Sequence, residues 1–235
     1  MNSLPVSRIA VSGLVALAAV STGAWAQDKK AAGPNSGPKS QTVSPSAAAV
    51  ADVAMARQLA RLGEQRKDPV LLIAAARVLQ ESAGKVTSPE KPESSTGEGA
   101  GTKQAADASA AAMLASAKKL AAGRADLIAL ADETAAAGTR GAVGGGKVGQ
   151  TVVRSRGVDA YSVTFRGGEQ AVVAISGDGD SDLDLEVYDE NGGLICRANG
   201  ASDDEVCRWT PRWTGPFRIR VVNMGVANRY VIGHN

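Results

Sequence analysis

Two stretches in the last third of the chain, residues 182–187 and 217–221, alternate strictly between polar and apolar side chains. In each stretch the apolar residues share one side of an extended chain, a period typical of half-buried strands. These apolar residues are Leu183, Leu185, Val187, Phe217, Ile219 and Val221. We therefore expect two β-strands that each place one face in a core.

Turn-forming residues punctuate the rest of this region, as at Gly167-Gly168, Asn191-Gly192-Gly193 and Asn199-Gly200. The strands predicted between the turns are residues 150–154, 160–165, 170–176, 183–188, 194–197, 205–210, 217–223 and 229–233. Eight short strands within about ninety residues predict two packed sheets, an antiparallel β-sandwich.

Apolar residues before this region recur at helical spacing among many alanines. The first predicted helix covers residues 46–65, and Asp68-Pro69 then supplies an N-cap and a first-turn proline for a second helix that continues to Leu79. This pair reads as a helical hairpin. Residues 105–122 and 125–137 predict two further helices, separated by Gly123.

The two helical pairs echo each other weakly in sequence, which suggests a duplicated hairpin. A tetratricopeptide-like array is one interpretation, but the large aromatic and glycine positions of such repeats are absent. A plain Ala-rich four-helix unit is the favoured interpretation. Because few side chains in it are large, self-association or a partner is expected to complete its core.

The sequence therefore predicts an α+β multidomain chain, an Ala-rich helical segment followed by an antiparallel β-sandwich. A leader over 27–45 and an insertion over 85–103 are rich in small, polar and proline residues and are expected to be flexible. The helical region is assigned to 46–140, a glycine linker to 141–146 and the sandwich to 147–235.

The first 26 residues have the pattern of a secretory signal peptide. Arg8 precedes an apolar run over 9–20, and Ala24-Trp25-Ala26 provides small residues for cleavage. An uncleaved anchor is the alternative interpretation. No other segment could cross a membrane, so the mature chain is expected to be periplasmic or secreted.

The two cysteines, Cys196 and Cys207, lie close in sequence within the predicted sandwich. An exported chain meets an oxidising compartment, which predicts a disulfide worth about 3 kcal/mol by loop closure. Two buried thiols are the alternative. The chain has 26 basic and 24 acidic side chains, and this near balance argues against nucleic-acid binding, which needs a basic footprint.

The order of several short motifs carries a family resemblance over about residues 147–235. The motifs are Asp159-Ala160-Tyr161-Ser162-Val163-Thr164-Phe165, Gly168-Glu169-Gln170, Asp182-Leu183-Asp184-Leu185, Gly215-Pro216-Phe217-Arg218-Ile219-Arg220-Val221 and Arg229-Tyr230-Val231-Ile232. In this order they resemble the bacterial pre-peptidase C-terminal domain. The resemblance implies a small jelly-roll-like β-sandwich that acts as a non-catalytic accessory module. Here an Ala-rich helical segment stands where the family usually has a peptidase.

An acidic run offers a candidate metal site. Asp178, Asp180, Asp182 and Asp184 alternate with other residues, and Ca²⁺ prefers clustered carboxylate oxygens. An EF-hand is excluded because Leu183 stands where its sharp turn needs glycine. A calcium site of another kind, as in some members of the resembling family, is one interpretation. The other is a solvated acidic row on a strand.

A cationic and aromatic set offers a candidate surface for a protein or polysaccharide in the cell envelope. Its members are Arg208, Trp209, Arg212, Trp213, Arg218 and Arg220. The alternative is that the arginines pair with the acidic row across strands and that Trp209 belongs to the core.

No catalytic constellation is visible in the sequence. The one histidine, His234, is the second-last residue, where the chain is expected to fray. The leading interpretation is thus an exported, non-enzymatic binding or accessory protein without a definite cofactor. A separately encoded accessory or regulator of a secreted peptidase is the alternative, and an enzyme that acts through carboxylates is a third.

Overall fold

The computed structural model describes residues 33–39, 42–82, 91–99, 103, 107, 109–137 and 147–235. The helices are α1 (Pro45–Arg66), α2 (Pro69–Ser82), α3 (Ala110–Leu120) and α4 (Ala125–Ala137). The strands are β1 (Ser94–Ser95), β2 (Lys147–Val153), β3 (Val158–Phe165), β4 (Ala171–Ser176), β5 (Leu183–Tyr188), β6 (Leu194–Ala198), β7 (Asp204–Trp209), β8 (Gly215–Asn223) and β9 (Asn228–His234). The predicted signal peptide and glycine linker lie outside the described residues.

The strands form two antiparallel sheets. The four helices all precede strands β2 to β9 along the chain, and the two-residue strand β1 lies between α2 and α3. One sheet has five strands in the order β1-β3-β8-β5-β6, and the other has four in the order β2-β9-β4-β7. The predicted α+β fold with an antiparallel β-sandwich is therefore confirmed. The short strand β1 lies in the predicted flexible insertion and forms one edge of the five-stranded sheet, where it pairs with β3.

The core between the sheets follows from the alternation along β5 and β8. All six apolar residues named from that pattern are buried in one cluster, together with Tyr161, Trp209 and Tyr230. Their polar neighbours along the two strands point to the opposite side of the five-stranded sheet. Register between strands is therefore set by burial of one face.

The helices begin and end where local chemistry favours it. Ser44 caps α1 by accepting a hydrogen bond from the Ala47 amide at 3.1 Å. Asp68 caps α2 by accepting one from the Val70 amide at 2.8 Å, as its sequence predicts. Between them, Gly63 allows close approach of the two helices, because a Cβ there would lie 3.0 Å from Leu72 Cγ.

Helix α1 packs directly on the outer face of the four-stranded sheet. Ala47, Val50 and Ala54 form a buried cluster with Val172 and Ala174 of β4. Strand β4 is consequently buried along its whole length, as expected when a strand is covered on both faces. The helical segment and the sandwich thus share an apolar interface.

Candidate functional site

The outer face of the five-stranded sheet carries a ladder of charged side chains across β8, β5 and β6. Glu186 of β5 lies directly opposite Arg197 of β6 and Arg220 of β8. Its two carboxylate oxygens accept hydrogen bonds of 2.7 Å from these two guanidinium groups. Tyr188 donates a third hydrogen bond of 2.9 Å to the same carboxylate. The ladder therefore holds two arginines and a tyrosine in fixed positions on the sheet.

A shallow groove of about 870 Å³ lies beside this ladder. Its walls come from three strands and one turn, and include Ser162, Tyr188, Pro216, Arg218, Arg220 and the turn residues 189–192. Ser162 and Arg218 are exposed, and the Arg220 guanidinium carbon lies 6.0 Å from the Tyr188 ring centre. The groove thus combines an aromatic ring, cations and hydroxyl groups on one open surface.

The turn at residues 189–192, at the end of the groove, is held in place by hydrogen bonds within the turn and by contacts with the predicted leader. Asp189 is buried, and its carboxylate accepts hydrogen bonds from the Asn191, Gly193 and Asn35 amides at 2.7–2.9 Å. Asn35 is fully buried and also accepts a hydrogen bond of 2.9 Å from the Arg212 amide. Although the sequence predicts a flexible leader over 27–45, residues 33–39 therefore have defined contacts with the sandwich.

The six residues of the predicted cationic and aromatic set do not form one surface. Trp209 is 5% exposed and meets Phe165 edge-on with ring centres 4.8 Å apart. Arg208 lies on β7 of the four-stranded sheet, away from Arg218 and Arg220 on β8 of the other sheet. For Trp209 and Arg220 the structure agrees with the alternative interpretation. Trp209 belongs to the core, and Arg220 pairs with an acidic side chain on the neighbouring strand.

The remaining two members of the set contact neighbouring loops. Arg212 donates a hydrogen bond of 2.8 Å from Nε to the Ser36 carbonyl. Trp213 donates one of 2.6 Å from its indole to Glu190. Both therefore hold the leader and the turn at residues 189–192 in place.

The acidic run divides between two environments. Asp178 and Asp180 both contact the Lys103 ammonium, at 2.9 and 2.6 Å, and Asp178 also accepts a bond of 3.1 Å from Arg229. Burial alone would raise the pKa of Asp178, but the hydrogen bonds from Lys103 and Arg229 lower it below its ordinary value. Two of the four carboxylates are therefore neutralised by side chains of this protein.

The other two carboxylates lie further along the same run. Burial, together with repulsion from Asp182 and Glu186, raises the pKa of Asp184. Asp182 has one buried oxygen without a hydrogen-bond partner among the described residues. Within the described ranges, no group of three or more His, Cys, Asp or Glu side chains is placed to hold a metal ion. Calcium binding stays a prediction from the sequence.

The two cysteines form the predicted disulfide. The bond joins Cys196 of β6 to Cys207 of β7, with Cα atoms 5.9 Å apart. Because β6 belongs to the five-stranded sheet and β7 to the four-stranded one, it ties the two layers together at one edge.

The expectation that the chain frays at His234 is wrong. His234 lies in β9, pairs with Lys147 and Val173, and is 2% exposed. Its ring centre is 6.1 Å from that of Phe165, in an edge-on arrangement. It lines an open cavity of about 510 Å³ at one end of the sandwich.

One buried polar network escaped sequence reasoning. Asp159 is fully buried between the sheets and accepts hydrogen bonds from Ser95 at 2.6 Å and from Tyr230 at 2.8 Å. The Tyr161 hydroxyl lies 2.5 Å from that of Tyr230. Burial raises the pKa of Asp159. The available signal was an acidic residue at an inward position of β3, in step with Tyr161, Val163 and Phe165.

No helix in the described part of the chain is both long and apolar enough to cross a membrane.

No family model matches the sequence, and no curated protein matches it. Solved structures do show similarity. The pre-peptidase C-terminal domain of a collagenase from Bacillus anthracis matches at 7% identity over 38% of this chain and 89% of its own, with a TM-score of 0.33. PliG of Aeromonas hydrophila, a periplasmic inhibitor of g-type lysozyme, matches at 13% identity over 38% of this chain and 84% of its own, with a TM-score of 0.31.

Proposed function

We propose that this protein is an exported, non-enzymatic binding module that contacts a partner protein in the cell envelope. The observation that carries the proposal is the asymmetry of the sandwich. Helix α1 covers the four-stranded sheet, whereas the outer face of the five-stranded sheet presents the groove beside Tyr188, Arg218 and Arg220.

The side chains of this face favour a protein partner. Tyrosine and arginine are enriched where protein interfaces carry most of their binding energy. Glu186 already orders Arg220 and Tyr188 through hydrogen bonds of 2.7 and 2.9 Å. Binding through such pre-ordered side chains loses less conformational entropy than binding through mobile ones.

Two further observations support export and the absence of catalysis in the proposal. The disulfide between Cys196 and Cys207 suits an oxidising compartment, as does the signal peptide that the sequence predicts. The one histidine of the sequence, His234, is not among the residues that line the groove of the five-stranded sheet. We therefore assign the face a binding role.

The experiment uses three forms of the protein as bait for solubilised envelope proteins of the native host. They are the wild type, the double variant Tyr188→Ala/Arg218→Ala, and Arg208→Ala as a control on an exposed strand position of the opposite sheet. The captured protein is then purified and titrated against each form by calorimetry. We expect the double variant to bind about tenfold or more weakly than the wild type, and Arg208→Ala to bind like the wild type.

Equal affinity of all three forms would contradict the proposed face. Co-sedimentation with purified cell-wall polysaccharide that depends on Tyr188 and Arg218, without protein capture, would replace the protein partner by a glycan. Identification of the partner as a secreted peptidase would specify the accessory role. Matching melting temperatures of the three forms exclude unfolding as the cause of lost binding.

A further inference from the structure

A second cavity, of about 230 Å³, lies between the helices and the four-stranded sheet. Side chains of α1, α3, β2 and β9 line it, among them three arginines, Arg57, Arg61 and Arg229. The rim also carries Glu64, Asp107 and Asp178. The cavity is far smaller than the open groove of the five-stranded sheet and lies on the opposite layer.

Two of the three guanidinium groups are already paired with carboxylates. Arg61 donates to Asp203 at 2.6 Å and also pairs with Asp204. Arg229 donates from Nε to Asp178 at 3.1 Å. These cations are therefore neutralised by buried or half-buried acidic side chains of the sandwich.

Arg57 is in a different situation. Its Nε is buried and has no hydrogen-bond acceptor among the described residues. Burial lowers the pKa of Arg57 to about 10, although the charge of Asp107 acts in the opposite direction. Arg57 as a whole is half-buried, and a partly desolvated guanidinium with an unsatisfied N–H destabilises the folded protein unless an anion pairs with it.

The nearest acidic partner does not meet this need. Asp107 is exposed, and its Oδ1 accepts the Ser109 amide at 2.9 Å near the start of α3. The attraction between Arg57 and the exposed Asp107 carboxylate is screened by water, so it contributes little to stability. Glu64 of α1, another acidic residue on the rim, is exposed as well.

We propose that this cavity binds a small oxyanion, a carboxylate or phosphate group, through the guanidinium group of Arg57, which lines the cavity. Arginine is suited to this because its planar guanidinium donates charge-assisted hydrogen bonds to such groups. The volume admits a small anion or the end group of a short ligand, and not a polymer. This site is separate from the proposed partner face and does not depend on it.

The test titrates the purified protein with inorganic phosphate or with acetate, against chloride at equal ionic strength. Arginine Nε–H signals are followed by ¹H–¹⁵N NMR, and the signal of Arg57 is assigned by its loss in Arg57→Lys. We expect this signal to shift with saturation, and the melting temperature to rise by about 3 °C at saturating anion. The stronger of the two anions identifies the preferred group.

Arg57→Met keeps the length of the side chain and removes the charge, so it should melt above the wild type without anion and show no anion response. Arg77→Met is the matched control, since Arg77 is exposed on α2 and pairs with Glu81. It should keep the full response. An Arg57 signal that does not move in the wild type would overturn the proposal, as would an equal rise in melting temperature in Arg57→Met.

Discussion

The Tyr230 hydroxyl donates a hydrogen bond of 2.8 Å to the Asp159 carboxylate inside the sandwich. This bond joins β9 of the four-stranded sheet to β3 of the five-stranded one. Ser95 of the short strand β1 binds the other oxygen of the same carboxylate at 2.6 Å. Three distant parts of the chain therefore meet at one buried acid.

Removing the Tyr230 hydroxyl should destabilise the protein strongly. Tyr230→Phe leaves a buried carboxylate with one partner fewer, which costs about 1–3 kcal/mol. Tyr188→Phe is the control, because its hydroxyl meets a carboxylate that Arg197 and Arg220 also satisfy. Urea unfolding measures both variants. Equal losses in the free energy of unfolding would show that the hydrogen bond of Tyr230 to Asp159 stabilises the fold no more than the hydrogen bond of Tyr188 to Glu186.

The stability should also depend on pH through Asp159. Burial raises the pKa of Asp159 above its ordinary 3.8, so the folded protein binds this proton more tightly than the unfolded chain does. The contribution is therefore fully present below pH 3.8 and is lost as pH rises through the folded-state pKa. Asp159→Asn cannot titrate and lacks this loss.

The measurement is the free energy of unfolding of wild type and Asp159→Asn at about pH 4 and about pH 7. The difference between the two proteins isolates Asp159 from the other carboxylates, including Asp178, whose pKa is shifted downward. Wild type should lose stability relative to Asp159→Asn as pH rises. An unchanged difference would contradict a raised pKa.

The contact of α1 with the sheet predicts cooperative unfolding. Val50 is fully buried against β4, and Val50→Ala should cost about 2 kcal/mol through lost packing. Helical circular dichroism and tryptophan fluorescence, to which Trp209 and Trp213 of the sandwich contribute, should report one shared transition, shifted equally by the variant. Val70→Ala, at a position of α2 that is 49% exposed, should change little. Separate transitions would instead support independently stable domains.

Breaking the disulfide should weaken the sandwich. Loop closure predicts that the double variant Cys196→Ala/Cys207→Ala loses about 3 kcal/mol. Reduction of the wild type should lower its melting temperature to a similar extent and leave the double variant unaffected. A response of the double variant to the reductant would mean that something other than the disulfide is affected.

A calcium ion at Asp178 and Asp180 would compete with Lys103, which contacts both carboxylates. Lys103→Ala should therefore increase the rise in melting temperature produced by calcium, relative to the same addition to the wild type. Lys91→Ala is a control at an exposed lysine. Equal calcium responses in all three proteins would exclude these two carboxylates as ligands.

The sequence predicted what depends on local periodicity. The alternation around Leu185 and Ile219 predicted two half-buried strands, and Asp68-Pro69 predicted the start of α2, because these signals lie within a few residues of each other. The two cysteines likewise predicted the bond that closes one edge of the sandwich. Each of these features is confirmed.

Contacts between distant segments were not readable in the same way. One feature of the sequence indicated that α1 covers β4. Residues 171–175 are all apolar, whereas a strand with one solvent-exposed face alternates between polar and apolar residues. The docking of Asn35, the network at Asp159 and the cavity at Arg57 left no signal of comparable strength. Each is formed by residues from parts of the chain that meet only after folding.

The unequal covering of the two sheets divides the molecule into regions with different tolerance to mutation. On β4 a change at any position disturbs either the core or the α1 interface, since all six residues are buried. On β8 an exposed side chain such as that of Arg218 can be replaced without opening a cavity. Selection can thus diversify one layer of the protein, or an engineer can graft new side chains there, while the opposite layer preserves the architecture.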